Sequence, residues 1–524
     1  MSRKDSILVV GGGMGGLYTA YCLLEHGKQD ITVVEKGWRW GGRVHTLERK
    51  DALASDDEAK IYYECGAGRF NQEHKILIRL IRRFGLADRM VRLPSDNDTQ
   101  YRHFMDSEAG GGRFITTTTA TLIPLYNRLA KIPIHDDYRK KTFLELCYEL
   151  FGVEKTSLLR GHFGYDDEFY DKNAYDALTT FQGDFRHDSV YYVLNGGLAL
   201  LVDALVSYLK EHGVRMLLKT KLVDVESGGR VTLGEMTSGE IALRKGNYDK
   251  VVLCLDTWAL VDLPFLEPLR GVLESVEITP LTRIYAQFPL GKDGKAWFSD
   301  IPKTSTNLPI RMFIPINSFN GFCMISYSDR DTARYWQDLY LSSTRSHFTS
   351  TLMGHIRHMF PECAIPEPLW VDKLHWVHGV HVWKPNADSD RVMDSLISGS
   401  HPALRGVYVC GEAYSHRQGW IEGALETADR VVATLTNGVK PHRAFRAYTL
   451  AEIARSAHPT SSAKLIVIGG SVYDIKDWIP KHPGGKVILS AVGLPDATQL
   501  FNFINHPQYA YTILQKYYVG WVCR

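Results

Sequence analysis

The sequence predicts an α/β protein, in which a parallel sheet covered by helices is interrupted by an inserted α+β region and followed by a small α+β domain. Three observations predict this. A continuously apolar run, Ser6-Ile7-Leu8-Val9-Val10, passes straight into Gly11-Gly12-Gly13-Met14-Gly15-Gly16 and a helical stretch from Leu17 to His26, as a strand buried on both faces and its crossover helix do. Strand-like runs recur far downstream, at Tyr248 to Cys254 and Val407 to Cys410. After the loop-like stretch Asn437 to Arg443, a new pattern of short strands and histidines begins.

The first element carries glycines at Gly11, Gly13 and Gly16, and Glu35 follows the last of them by 19 residues, at the end of a second strand, Ile31 to Val34. Glycines at this spacing let the backbone turn tightly and approach a pyrophosphate seated on the helix N-terminus, and the acid accepts hydrogen bonds from ribose hydroxyls. This is a Rossmann-like, dinucleotide-binding reading. Gly41-Gly42-Arg43 follows, and Arg43 is placed to reach the same pyrophosphate. The series from GxGxxG through Glu35 to Gly42 and Arg43 resembles the flavin amine oxidase superfamily, which implies FAD.

The resemblance continues along the chain. Glu64-Cys65-Gly66-Ala67-Gly68-Arg69-Phe70 is similar to the family's second glycine segment, implying that Gly66, Ala67, Gly68 and Arg69 lie beside the flavin. Leu194 to Leu198 introduces an amphipathic helix running to Leu209. Val214 to Val225 resembles the strand whose backbone holds the adenine, with Leu222 at the matching position. Gly411-Glu412 ends a strand and Gly419-Trp420-Ile421 opens a helix; the family implies that Glu412 meets the ribityl chain or pyrophosphate, and that Trp420 and Ile421 lie by the flavin carbonyls. The implied architecture is the amine oxidase fold. A discontinuous FAD-binding domain (1–74, 190–260 and 403–436) carries an inserted substrate domain (75–189 and 261–402). Ala109 to Gly112 and Thr116 to Thr119 read as a loop and a strand edge without chemistry.

The run Gly68-Arg69-Phe70-Asn71-Gln72-Glu73-His74-Lys75 looks like the L-amino acid oxidase branch, where the arginine forks onto the substrate carboxylate. A guanidinium suits a planar carboxylate through two parallel charge-assisted bonds. The alternative is that Arg69 pairs with a structural acid or the FAD phosphates. Trp420 matches one wall of an aromatic cage. The opposite wall is expected from Gly379 to Trp383, with His381 and Trp383 both open as candidates. Val380 stands where monoamine oxidases carry their flavin-linked cysteine, so the resemblance implies non-covalent FAD. Arg283 replaces the lysine the family places near the flavin's reactive nitrogen. It stays charged and cannot act as acid or base, which leaves it to hold water or a second carboxylate.

At the C-terminal end, Val472-Tyr473-Asp474, His482-Pro483-Gly484-Gly485, Asp496-Ala497-Thr498, Phe501 and His506 follow in the order of cytochrome b5, with the histidines 24 residues apart. The resemblance implies a haem domain over 447–524 after a linker at 437–446, with haem b held by His482 and His506 as axial ligands. Two imidazoles on one iron leave no position for a gas, which makes an electron-transfer centre.

Composition agrees with a globular chain of 524 residues, 44% hydrophobic and 23% charged, with 61 basic against 59 acidic residues. Its net charge of +2 gives no reason to expect a nucleic-acid partner. The eight cysteines include no CxxC pair, which points to a reducing compartment. With no secretory leader, no bilayer-length apolar run and no apolar tail after Trp521, a cytoplasmic protein without a membrane anchor is expected. The expected activity is oxidative deamination of an L-amino acid, with electrons passing to oxygen or to the haem as a one-electron acceptor. The rivals are oxidation of a polyamine or other amine, and a non-catalytic redox carrier.

Overall fold

The computed structural model describes residues 5–56, 58–93, 99–106, 112–186, 189–226, 229–237, 240–399, 404, 406–436, 446–468, 471–504, 506, 510, 514 and 517–522. The glycine patch at 109–111, boundary residue 403, all of the expected linker but residue 446, and residues 469–470 lie outside them. The chain divides into two compact units, Met1–Thr434 and Leu435–Arg524.

In the first unit, β1 (Ser6–Val10) and β2 (Asp30–Val34) flank α1 (Met14–Glu25). Three strands from distant parts of the chain join them: β3 (Arg215–Leu217), β7 (Lys250–Leu253) and β11 (Val407–Val409), in the order β3-β2-β1-β7-β11. Every pairing is parallel. All five carboxyl ends therefore face one way, and the glycine turn after β1, Glu35 after β2 and Gly411-Glu412 after β11 collect along one edge, where open α/β sheets bind ligands. Ile7, Leu8 and Val9 are at most 1% exposed, which is why β1 reads as an unbroken apolar run.

The segment Val214 to Val225 is two strands. Lys219 has φ of +53°, a left-handed conformation that cannot continue a strand. Beyond it, β4 (Thr220–Glu226) leaves the parallel sheet and pairs antiparallel with β5 (Arg230–Thr237), which pairs with β6 (Glu240–Asn247). Hydrogen bonds from Thr220 N to Glu35 O and from Lys219 N to Gly37 O tie this small sheet to the end of β2.

A second large sheet has seven strands. At one edge β8 (Val276–Gln287) lies between β10 (Trp370–Trp383) and β9 (Phe322–Asp329), and the far edge is Arg113–Thr118. One face buries Ile284, Ala286 and Phe288 against Trp336, Phe348 and Leu352, which lie on the helices Arg330–Ser342 and Arg345–Met359. A separate helical core gathers Phe143, Phe169 and Phe181. Two further helices frame the site described below, α2 (Lys75–Arg83) and α3 (Ile421–Leu435).

The second unit has a four-stranded sheet. β12 (Arg446–Tyr448) pairs in parallel with β15 (Tyr518–Val522), which pairs antiparallel with β14 (Ser471–Asp474), itself antiparallel to β13 (Leu465–Ile468). Ile466, Tyr473, Ile475 and Val492 form its core, and a short helix, α4 (Thr498–Phe503), leads to His506. Among the described residues, no helix is long and apolar enough to cross a membrane.

Candidate functional site

The turn after β1 uses its three motif glycines differently. A Cβ on Gly11 would come within 2.3 Å of the Cys254 carbonyl oxygen, and one on Gly16 within 1.9 Å of the Gly11 carbonyl oxygen; both are glycine so that backbones can pack. A Cβ on Gly13 would meet Gly42 Cα at 3.9 Å and nothing nearer, so packing alone does not require glycine there. Gly13 caps α1 with no side-chain bond, and the first turn of that helix has no acid. This is a helix N-terminus whose N–H groups and dipole suit a pyrophosphate. Glu35 accepts from Gly12 N at 2.8 Å and from Gly37 N at 2.6 Å, which aims its carboxylate at the same turn. The residues present fit a dinucleotide.

Gly41 to Arg43 joins this turn to the second glycine segment. A Cβ on Gly66 would lie 1.9 Å from the Arg43 carbonyl oxygen, and Ala67 N donates to that oxygen at 3.0 Å. The Arg43 guanidinium donates to Gly379 O at 3.0 Å and pairs with Glu412 at 2.8 Å. Glu412 also accepts from Gly419 N at 2.7 Å and bonds His381 Nδ1 at 2.9 Å. Burial opposes its ionisation, but Arg43, His381 and the Gly419 N–H outweigh that and hold the carboxyl far below its ordinary range. Glu412 thus fastens the start of α3 and the end of β10 to Arg43. Leu222, on β4, is buried opposite Leu233 just before a bulge.

Neither candidate for the opposite aromatic wall is positioned as one. His381 is 1% exposed and bonded to Glu412, while Trp383 is fully buried, its Nε1 donating to Ser415 O at 2.9 Å. Thr279 pairs with Val380 but Leu281 pairs with Trp376, so β10 bulges over residues 377–379; beyond the bulge, Glu412 and Ser415 take up the polar atoms of the two rings. From this strand Trp376 reaches the glycine segment instead, its Nε1 donating to Cys65 O at 2.7 Å. Gly379 within a strand is the sequence signal for such a bulge.

Arg69 and Trp420 come together. The Arg69 guanidinium lies 4.5 Å from the centre of the Tyr191 ring and 5.9 Å from that of Trp420, and it donates to Tyr165 Oη at 3.3 Å. Tyr191 and Trp420 stack 6.3 Å apart, and His74 meets Trp420 edge-on. Arg69, Tyr165 and Tyr191 line a cavity of about 60 Å³. Ile421 is the first residue of α3, directly after Trp420. Arg283 on β8 sits on the same side: a Cβ on Gly68 would come within 3.2 Å of its Nη1. Sequence reading missed Tyr165, Tyr191, Tyr327 and Trp376. Apart from Trp376, which Gly379 flags, they are lone aromatics in unremarkable contexts that only strand pairing and chain crossing bring to the arginines.

In the second unit, the rings of His482 and His506 are 6.3 Å apart. Two metal–nitrogen bonds of about 2 Å and two imidazole radii of just over 1 Å span about 6 Å, so an iron fits between them. Nδ1 of His506 lies 2.9 Å from Phe501 O, which favours the tautomer whose Nε2 lone pair is open to a metal. Nδ1 of His482 is buried without a hydrogen-bond partner among the described residues. Val487, Phe503 and Ile504, close in sequence to the two histidines, are exposed. Among the described residues there is no cluster of three or more His, Cys, Asp or Glu that could hold another metal ion.

The parallel sheet with this glycine turn suits a dinucleotide, and the guanidinium among aromatic rings lies on the same unit. The chain belongs to the flavin containing amine oxidoreductase family, which matches residues 14–436, and residues 449–523 match the cytochrome b5-like heme/steroid binding domain. Among curated relatives, L-amino acid oxidase bordonein-L of Crotalus durissus terrificus is 24% identical over 477 residues, covering 81% of this chain and 86% of that protein. The L-amino-acid oxidase of Protobothrops flavoviridis is 23% identical, covering 81% and 88%. The acyl-lipid (8-3)-desaturase of Physcomitrium patens is 38% identical over 91 residues, 17% of this chain and 18% of its own.

Proposed function

We propose that this protein oxidatively deaminates an L-amino acid, using non-covalent FAD. The observation that carries the reading is the Arg69 guanidinium set over Tyr191 and beside Trp420. A simple amine has no carboxylate for a guanidinium to hold. When bound, FAD accepts a hydride, and haem b accepts electrons one at a time.

In this reading Arg69 forks onto the substrate carboxylate, and Tyr165 braces the guanidinium through its hydroxyl. Tyr191 and Trp420 present ring faces and exclude water around the amine-bearing carbon. No side chain here is required as a base if the amine arrives neutral; the resulting imine hydrolyses to a keto acid and ammonia. Gly11, Gly13, Gly16, Glu35, Gly42 and Arg43 would hold the dinucleotide, with Leu222 at the adenine end. Gly66, Ala67, Gly68, Gly411, Glu412 and Ile421 would shape its flavin end, and His381 would position Glu412. His482 and His506 would hold the haem iron. The FAD-binding part comprises 1–74, 190–260 and 403–436, the substrate part 75–189 and 261–402, and the haem domain 447–524.

The test is an anaerobic screen of amino acids and the matching decarboxylated amines, following flavin absorbance. Bleaching by amino acids and not by amines is expected; bleaching by amines alone would replace this reading with an amine oxidase, and bleaching by neither would favour a redox carrier. Acid precipitation should release the flavin into solution.

A further inference from the structure

Arg283 carries a positive charge at every relevant pH, yet neither of its hydrogen bonds goes to an anion. It donates to the Glu64 carbonyl at 3.2 Å and to Tyr327 Oη at 3.4 Å, and its guanidinium lies 4.7 Å from the centre of the Tyr327 ring. The Glu64 carboxylate attracts it through space but spends its hydrogen bonds on Thr46 Oγ1 and the Leu198 N–H. Arg283 is half-buried, so part of it stays accessible to a ligand. A half-buried guanidinium whose hydrogen bonds reach no anion has donors that a bound anion can take.

The direction of that anion follows from the neighbours. Tyr327 pairs directly across the strands from Arg283. Tyr165 meets the Tyr327 ring edge-on at 5.4 Å and accepts from Arg69 at 3.3 Å. The two guanidiniums therefore share one tyrosine wall, and both border the short turn Gly68-Arg69. We propose that Arg283 receives a second carboxylate, so that the preferred substrates are dicarboxylic α-amino acids. This rests on the reading that Arg69 holds the α-carboxylate. The fork of an arginine matches a carboxylate in two parallel bonds, whereas a lysine offers only a point charge.

The test compares L-glutamate with L-glutamine, and L-aspartate with L-asparagine, as anaerobic reductants of the full-chain holoenzyme; each pair has nearly the same shape and differs in charge. The acid should be favoured in kcat/KM by about 30-fold or more, the factor for losing one partner of an enclosed charge pair. Arg283→Met should collapse that preference to within about threefold, and Arg283→Lys should retain part of it. Glutarate, which has no amine, should perturb the flavin spectrum of the wild type and not of Arg283→Met. If Arg283→Met does not fold, the wild-type ratio and Arg283→Lys decide. Equal rates on acid and amide, or an acid preference unchanged in the variants, would overturn the proposal. Reduction by amines alone would instead sink the parent reading, and the glutarate titration would still decide whether Arg283 is an anion site.

Discussion

Glu422 and Ile76 are 346 residues apart in sequence, yet Oε1 of Glu422 accepts a hydrogen bond from Ile76 N at 2.7 Å while Oε2 accepts from Leu77 N at 2.9 Å. A side chain in the first turn of α3 thus caps the N-terminus of α2. The carboxylate lies two residues beyond Trp420 and its donors seven and eight beyond Arg69. This cross-chain cap therefore locks the two halves of the arginine–aromatic cluster together.

That cap is expected to be pH-sensitive. Burial raises the Glu422 pKa to about 8, against the opposing pull of the Ile76 and Leu77 N–H groups. A carboxyl whose folded pKa lies above its unfolded value stabilises the fold at low pH, and that contribution is lost as pH rises from about 4.3 through 8. Glu422→Gln cannot ionise, so its stability relative to wild type should improve across this window, by at most about 5 kcal/mol. Thermal midpoints of both proteins in a pH series check this; parallel curves would contradict it.

The glycine turn should separate packing from binding. Gly13→Ala has room for its methyl and an extended backbone that alanine adopts readily. It should fold with an apoprotein melting temperature close to wild type but retain little flavin. Gly11→Ala or Gly16→Ala places a methyl against a carbonyl, and should lose soluble protein or several degrees of melting temperature. Flavin content and apoprotein melting measured together distinguish the two; full flavin in Gly13→Ala would remove that residue from the site.

Arg69→Ala should depress kcat/KM on amino acids far more than on decarboxylated amines. Losing one partner of a desolvated charge pair costs about 2 to 5 kcal/mol, or roughly 30- to 5,000-fold. Steady-state kinetics on matched substrates give the comparison. Equal losses on both would make Arg69 a packing residue of the Tyr191–Trp420 stack.

His506→Ala should abolish a six-coordinate haem spectrum while leaving flavin content unchanged, because the two sites lie in separate compact units. In the wild type, an active amino acid added without oxygen should reduce the haem as well as bleach the flavin. Bleached flavin beside haem that stays oxidised would mean that the haem serves another donor.

Motifs of contiguous residues were legible from the sequence. The turn from Gly11 to Gly16 with Glu35, and the spacing of His482 and His506, announce their chemistry because a tight turn or a ligand pair confines it to a few local positions. The arginine–aromatic cluster was half legible. Arg69 and Trp420 stand beside recognisable glycines, but Tyr165, Tyr191 and Tyr327 reach them only because strands and helices cross, and no spacing records that. The sequence leaves His381 and Trp383 both open, and only the tertiary structure shows both rings buried, on Glu412 and on Ser415. Lys219 split one apparent strand, since a single left-handed residue redirects the chain without altering its apolar pattern. The sequence by itself thus determined which local units form. Which side chains meet was left to the tertiary structure, because long-range contacts such as Glu422 to Ile76 depend on the register and crossing of whole elements rather than on their composition.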